Sequence, residues 1–246
     1  MNLKLSNKNV IITGATGGIG KTLVKSMHAE GANILITGTN IEKLKDFTNN
    51  FGERINYVVC DLSNIENIKD IVIAVESHFQ NKVDVLINNA GITRDNLSLR
   101  MKEDDWNKVI NINLNSTFFL IKEIIKFMVK SRHGRVINIS SVVAKTGNPG
   151  QANYCASKAG LEAMSRAISL EVSKRGITVN CVAPGFIETD MTARIIEKNK
   201  SLILSNIPLA RIGVPEDIAS MVCFLSSELS SYITGQTIHI NGGMVM

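Results

Sequence analysis

Thr13-Gly14-Ala15-Thr16-Gly17-Gly18-Ile19-Gly20 follows directly on the apolar run Asn9 to Thr13 and opens into an amphipathic stretch starting at Gly18. Glycines let a backbone turn sharply, and a helix N-terminus presents unpaired N–H groups. A strand-to-helix turn of this kind therefore suits the negative charge of a pyrophosphate. The spacing Gly-x-x-x-Gly-x-Gly differs from the general dinucleotide fingerprint Gly-x-Gly-x-x-Gly, so the context between strand and helix carries the reading.

The same alternation continues outward from this turn. Apolar runs predict strands at Asn9 to Thr13, Asn33 to Thr37, Ile55 to Cys60, Val83 to Ile87, Arg135 to Ser140, Thr178 to Ala183 and Gln236 to Ile240. Amphipathic stretches predict helices at Gly18 to Glu30, Ile41 to Asn50, Ile65 to Phe79, Glu103 to Ser131, Asn153 to Lys174 and Pro215 to Ser226. Uniformly apolar strands between helices imply a parallel sheet covered on both faces. The expected fold is α/β, one doubly wound domain over residues 1–246 with a seven-stranded parallel sheet and helices on both faces. An eight-unit barrel is the rival, but its count is not reached, and a glycine turn after the first strand favours an open sheet with its ligand at the strand C-terminal ends.

Composition narrows the classes. The 246 residues are 44% hydrophobic, with a mean hydropathy of +0.11. No run approaches the ~18 apolar residues of a membrane span, and the start, Met1 to Lys8, has no secretory signal pattern. The expectation is a soluble, cytoplasmic protein. Cys60, Cys155, Cys181 and Cys223 are far apart, as are His28, His78, His133 and His239, so neither a disulfide framework nor a metal site is indicated. The net charge of +5 suits nucleic acid, a phosphorylated cofactor or an acidic protein partner. With aromatics at 5% and no basic–aromatic interleaving, nucleic acid is not expected.

Tyr154 and Lys158, in Asn153-Tyr154-Cys155-Ala156-Ser157-Lys158, sit four residues apart and share a helix face, which sets an ammonium beside a phenol. A free phenol titrates near pH ~10. Lowering it by roughly three units takes about 4 kcal/mol of phenolate stabilisation, which a cation in a water-poor cleft can supply. Taken alone the pair is a weak signal, common on solvated helix faces.

Together with the glycine turn, Asn88-Asn89-Ala90-Gly91 after the fourth strand, Asn113 in a helix and Ser141 after the fifth strand, the pattern resembles the short-chain dehydrogenase/reductase family over essentially the whole chain. Within it, Ile92-Thr93-Arg94-Asp95-Asn96, Gly150-Gln151-Ala152-Asn153-Tyr154, Ala183-Pro184-Gly185-Phe186-Ile187-Glu188-Thr189-Asp190-Met191 and Asn241-Gly242-Gly243-Met244 are similar to the 3-oxoacyl-acyl-carrier-protein reductases of fatty-acid synthesis. The resemblance implies a Rossmann-type fold and NADPH-dependent ketone reduction. It gives Tyr154 as proton donor, Lys158 as the cation that lowers the tyrosine pKa and binds the nicotinamide ribose, and Ser141 as the hydrogen-bond donor to the substrate carbonyl. Asn113 would hold a water linking Lys158 to solvent.

The resemblance further implies that Gly14, Ala15, Thr16, Gly17, Gly18, Ile19 and Gly20 bind the cofactor, with Thr39, Asp61, Leu62, Asn89, Tyr154, Lys158 and Ile187. The stretch Thr37-Gly38-Thr39-Asn40 lacks the carboxylate that binds a ribose 2′-hydroxyl, which favours NADPH. Gly17 stands where many NADPH-using members carry arginine, leaving two outcomes open: Lys43 or another nearby cation stands in, or selectivity is modest. Residues 189–206 are the implied substrate lid, with a surface helix as the bland reading. Lys126, Lys130, Arg132 and Arg175 are expected together beside the cleft, with Arg132 and Arg175 docking acyl carrier protein. A homotetramer is implied, through helices apolar on more than one face. Alternatives are a short-chain dehydrogenase acting on a 3-hydroxyacyl-CoA or other secondary alcohol, and a nucleotide-sensing interaction protein without catalysis.

Overall fold

The computed structural model describes residues 3–190 and 192–246. Met1 and Asn2 of the expected domain, and Met191 of the expected lid, lie outside the described residues. Seven strands, β1 (Asn9–Thr13), β2 (Asn33–Gly38), β3 (Ile55–Val59), β4 (Val85–Asn88), β5 (Gly134–Ile139), β6 (Ile177–Pro184) and β7 (Thr237–Ile240), form one sheet in the order β3-β2-β1-β4-β5-β6-β7. Every pairing is parallel. The order reverses between β1 and β4, the crevice where open α/β sheets take their ligands.

Period-two alternation sorts the strand side chains into two cores. Val10, Ile12, Ile34, Ile36, Val85, Ile87 and Val182 face one side, against α1 (Gly18–Ala29), α2 (Ile41–Asn49) and α9 (Pro215–Ser226), which contribute Leu23, Met27, Leu44, Ile218 and Val222. Ile11, Leu35, Leu86, Val136 and Val179 face the other, against α3 (Ile68–Phe79), α5 (Ser116–Ser131) and α7 (Ala152–Val172), which contribute Ile71, Val75, Ile121, Ile124 and Ile168. A sheet buried on both faces explains why its strands read as unbroken apolar runs.

Strand and helix limits agree with the sequence expectation to within one or two residues, with three differences. Ile65–Asn67 is a 3-10 turn ahead of α3, and Ser173–Arg175 another after α7. The helix expected over Glu103 to Ser131 is instead α4 (Glu103–Ile110), a wide π turn at Asn111–Asn115, and α5. The cause lies outside the helix. The Asn113 side chain is drawn onto Ile92, accepting from its N–H at 2.9 Å and donating to its carbonyl at 3.0 Å. Residues 189–206 contain α8 (Ala193–Ser205), which kinks at Asn199, where φ is −132°; a short helix α6 (Val143–Thr146) precedes α7. Among the described residues no helix is long and apolar enough to cross a membrane.

Candidate active site

The glycine turn is shaped by what it must avoid. A Cβ on Gly20 would lie 2.2 Å from the Gly14 carbonyl, and one on Gly14, at φ +62°, would lie 2.8 Å from Ala90 Cα. The turn is therefore pressed against the end of β4. Asn89 fastens it, donating from Nδ2 to the carbonyls of Thr13 (3.1 Å) and Gly14 (2.9 Å). Thr13, which the sequence reading did not single out, returns the tie, its Oγ1 accepting from Asn89 N and Ala90 N. Gly17 differs from the others: it caps α1 in an extended conformation with no side-chain cap, and a Cβ there would meet nothing within 4 Å. The result is an open cradle over the uncapped N–H groups of a 12-residue helix, a fit for the pyrophosphate of a dinucleotide.

The other residues expected at the cofactor follow the C-terminal edge of the sheet. Thr39 is exposed directly after β2, and Lys43 lies in the first turn of α2, which Asn40 caps by accepting from Lys43 N at 2.9 Å. Asp61 and Leu62 follow β3; the Asp61 carboxylate is already engaged by Ser63 N at 2.9 Å. Ile187, after β6, is buried and bridges in parallel to Gly213. Thr189 packs on the glycine turn, so close that a Cβ on Gly18 would lie 3.0 Å from its methyl group. The base of the 189–206 segment thus rests on the cradle. A cavity of about 410 Å³ opens beside it, between Ile187, Ile207, Leu209 and Asn241.

The structure brings Asn113, Ser141, Tyr154 and Lys158 together where β5, the π turn and α7 meet. Ser141 sits at the Tyr154 hydroxyl, near enough to oppose the rise of its pKa through hydrogen bonding. Lys158 is buried, donates to the Ile139 carbonyl at 2.8 Å, and lies 5.6 Å from the centre of the Tyr154 ring. Gly91 packs against this group, its notional Cβ 3.4 Å from Asn113 Oδ1 and 3.5 Å from Lys158 Nζ. Asn113 donates to Ser157 Oγ at 3.2 Å, and Ser157 in turn to the Tyr154 carbonyl at 2.8 Å. Ser140, the neighbour of Ser141, reaches a later turn of the same helix, donating to Glu162 at 2.6 Å. That bond takes up the Ser140 hydroxyl and leaves Ser141 to meet Tyr154.

The electrostatics of Tyr154 differ from the expectation. Burial pushes the Tyr154 phenol up to about 12, with the Ser141 hydrogen bond opposing and Asp95 and Cys155 adding to the rise. Burial also depresses Lys158 to about 8. The expected lowering of Tyr154 by Lys158 is replaced by lowering from Ser141, because the ammonium is turned onto the Ile139 carbonyl. The chain by itself holds Tyr154 protonated, the form that donates. Asn113, for its part, spends its side-chain amide on Ile92 and Ser157, so a water cannot be its side chain's main partner.

Arg132 and Arg175 are close to each other but not beside this cleft. Arg132 caps α5 in the left-handed conformation (φ 51°) and donates to the Lys174 carbonyl at 3.2 Å. Both precede the starts of β5 and β6, whereas Ser141 follows the end of β5. A six-residue strand, about 20 Å, separates the two ends. Lys126 pairs with Glu123 on the same helix at 2.5 Å. A groove of about 610 Å³ adjoins Arg132, lined also by His133, Arg135, Tyr232 and Thr234.

A family model described as enoyl-(acyl carrier protein) reductase matches residues 14–245. The 3-oxoacyl-(acyl-carrier-protein) reductase FabG of Rickettsia felis is 50% identical over 244 residues, covering 99% of both chains. Its counterpart in Salmonella typhimurium is 44% identical, covering 99% of this chain and 100% of that one. Nodulation protein G of Rhizobium meliloti is 44% identical over 243 residues, 99% of each. A solved structure titled short chain dehydrogenase/reductase family protein superposes with a TM-score of 0.90 at 32% identity, covering 98% of each chain.

Proposed function

Because this chain belongs to the short-chain dehydrogenase/reductase family, we propose that it reduces the 3-oxo group of acyl chains carried on acyl carrier protein, in fatty-acid synthesis. Relatives named for that reaction, matched end to end at up to 50% identity, support the substrate class. The observation that carries the chemistry is the convergence of Ser141, Tyr154 and the buried Lys158 at the end of β5. Two hydroxyls converging on one point are what a carbonyl oxygen gaining negative charge requires.

A bound nicotinamide supplies the hydride. Tyr154, held protonated, gives its proton to the carbonyl oxygen, and Ser141 orients that oxygen and stabilises the charge developing on it. Lys158 offsets the charge left on the phenolate and contacts the ribose. Asn113 holds a water that keeps Lys158 in touch with solvent protons, beside a side chain engaged by Ile92 and Ser157. Gly14, Ala15, Thr16, Gly17, Gly18, Ile19 and Gly20 cradle the pyrophosphate, with Thr39, Asp61, Leu62, Asn89 and Ile187 along the dinucleotide. NADPH is the proposed form, because the end of β2 offers no carboxylate to repel a 2′-phosphate and Lys43 stands in the first turn of α2. The segment 189–206 serves as the lid.

The working assembly is a homotetramer, in which Trp106, Phe118 and Leu170, exposed on α4, α5 and α7, are covered. Acyl carrier protein docks at Arg132 and Arg175. Since these lie at the strand N-terminal ends, a carrier bound there feeds the cleft of a neighbouring subunit. The family model's description, enoyl-(acyl carrier protein) reductase, favours a second reading, reduction of an enoyl double bond. Absorbance-monitored oxidation of NADPH and NADH with 3-oxoacyl and enoyl groups, each on carrier protein and on CoA, decides between them. Rapid NADPH oxidation with the 3-oxoacyl carrier substrate, lost in Tyr154→Phe, is the expected result; oxidation with the enoyl substrate alone would overturn it.

A further inference from the structure

The end of β5 grips α7 in a fixed sequence of contacts. Asn138 Nδ2 donates to Ser165 Oγ at 2.8 Å, the Ile139 carbonyl accepts from Lys158 at 2.8 Å, Ser140 donates to Glu162 at 2.6 Å, and Ser141 meets Tyr154. Tyr154, Lys158 and Glu162 are four residues apart in succession, so they form one ridge along the helix. The first two belong to the proposed reaction, while Glu162 has been given no part in it. It lies one turn beyond the buried Lys158, near enough for its charge to act on the ammonium.

We propose that Glu162 is a positioning residue for the reaction: clasped by Ser140, its carboxylate supplies the counter-charge that keeps the buried Lys158 ammonium charged beside Tyr154. The inference rests on the role proposed above for Lys158.

Charge bookkeeping around Lys158 leads to the same residue. Burial disfavours its ammonium, and the groups acting against that are Cys181 on β6 and Glu162 on α7. The Cys181 thiol is itself pushed up to about 11 by burial and is neutral at ordinary pH, so it carries no standing charge. The π turn and β5 face Lys158 with neutral groups, the Asn113 amide and the Ile139 carbonyl. Asp95 and Cys155 act on Tyr154, and Arg166, one turn beyond Glu162, acts on Cys181. Of the two groups that act against the burial of Lys158, Glu162 is the carboxylate. The Ser140 hydrogen bond matters because a glutamate on a half-exposed helix face would otherwise swing to water, where its effect on Lys158 would be screened.

Two readings test this, with Glu162→Gln as the main variant, since it keeps the shape and the acceptor for Ser140 but removes the charge. The first is the pH profile of kcat/KM, which reports ionisations of the free enzyme. Removing an anion lowers the pKa of a neighbouring cation. The basic limb is therefore expected at lower pH, seen above the limb as about a threefold loss against wild type, the factor that half a pH unit carries. Glu162→Asp, which keeps the charge, should hold the limb closer to its wild-type position, and Ser140→Ala should shift it partway. The second reading is the pH titration of the Lys158 side-chain resonance in 13C-lysine-labelled protein, assigned against Lys158→Met. It should move down in Glu162→Gln.

A limb and a resonance that stay at their wild-type positions in Glu162→Gln would overturn the proposal, as would equal shifts in Glu162→Gln and Glu162→Asp, which would point to packing rather than charge. Should Glu162→Gln fail to fold, a Ser140→Ala titration identical to wild type would overturn it. If wild type reduces no 3-oxoacyl thioester, the functional reading fails instead, while the resonance still decides the role of Glu162.

Discussion

The ammonium of Lys158 donates to the Ile139 carbonyl across 2.8 Å while standing 5.6 Å from the centre of the Tyr154 ring. It is a buried cation held by a backbone dipole, and burial depresses it to about 8 from an ordinary 10.5. Activity in the direction of reduction should decline as pH rises through about 8, where this charge is lost. The sign for stability is the reverse. A depressed lysine makes the folded state shed its proton more readily than the unfolded chain, so the cost of burying the charge is present below about 8 and is lifted as pH rises toward 10.5. Lys158→Met should abolish turnover yet melt several degrees higher than wild type near neutral pH, an advantage that shrinks at about pH 10. Calorimetry at the two pH values checks it; a lower melting temperature for the variant at neutral pH would contradict it.

Tyr154→Phe removes the hydroxyl that meets Ser141 and leaves the ring. The rate should drop by about 10²–10⁴, the usual contribution of a positioned acid, with dinucleotide binding retained. Ser141→Ala should lose about 10²–10³. Because both act on one oxygen, the double variant should be little worse than Tyr154→Phe alone, and multiplicative losses would show that the two act separately.

Gly17 and Gly20 should behave oppositely under substitution. A side chain on Gly17 enters open space from an extended backbone, so Gly17→Arg should fold normally and raise the preference for NADPH over NADH through contact with the 2′-phosphate. A methyl group on Gly20 would sit 2.2 Å from the Gly14 carbonyl, and Gly20→Ala should lose cofactor binding. Fluorescence titration with both dinucleotides measures each effect; unchanged selectivity in Gly17→Arg would mean the phosphate is held elsewhere.

The distance of Arg132 and Arg175 from Ser141 predicts complementation between subunits. A chain carrying Arg132→Glu and Arg175→Glu should reduce a small thioester but not the carrier substrate, and Tyr154→Phe should reduce neither. Hybrids refolded or co-expressed from the two should regain carrier-dependent turnover, since one chain docks and the other reacts. Hybrids no better than the separate variants would place docking and chemistry within one subunit.

Much of this was legible in the sequence because the sheet is buried on both faces, so Val10 to Ile12 and Ile34 to Ile36 announce themselves by apolarity alone. The Tyr154–Lys158 ridge followed from helical period, and the glycine turn from its position after β1. What escaped depends on partners distant in the chain. The break at Asn111–Asn115 is held by Ile92, 21 residues away, and its three asparagines are a local sign that apolar periodicity does not weigh. The position of Arg132 and Arg175 at the far end of the sheet follows from strand direction, which a list of charges does not contain. Tyr154 was expected to be acidified by Lys158, but the pair's separation and burial are tertiary quantities. Glu162 had a visible signal, its spacing of four from Lys158, with no local reason to favour it over any other helix carboxylate.

The π turn at Asn111–Asn115 also sets how evolution can edit this chain. A wide turn is an α-helix holding one residue too many. Deleting one of the five would let α4 and α5 fuse into a regular helix, at the cost of the widened turn from which Asn113 reaches Ile92. Asn113 would lose its place opposite Ile92, although α5 would keep its face to the sheet. Surface loops of the molecule can gain or lose residues freely, but here the number of residues is itself under constraint, and an alignment of descendants should show substitutions without gaps.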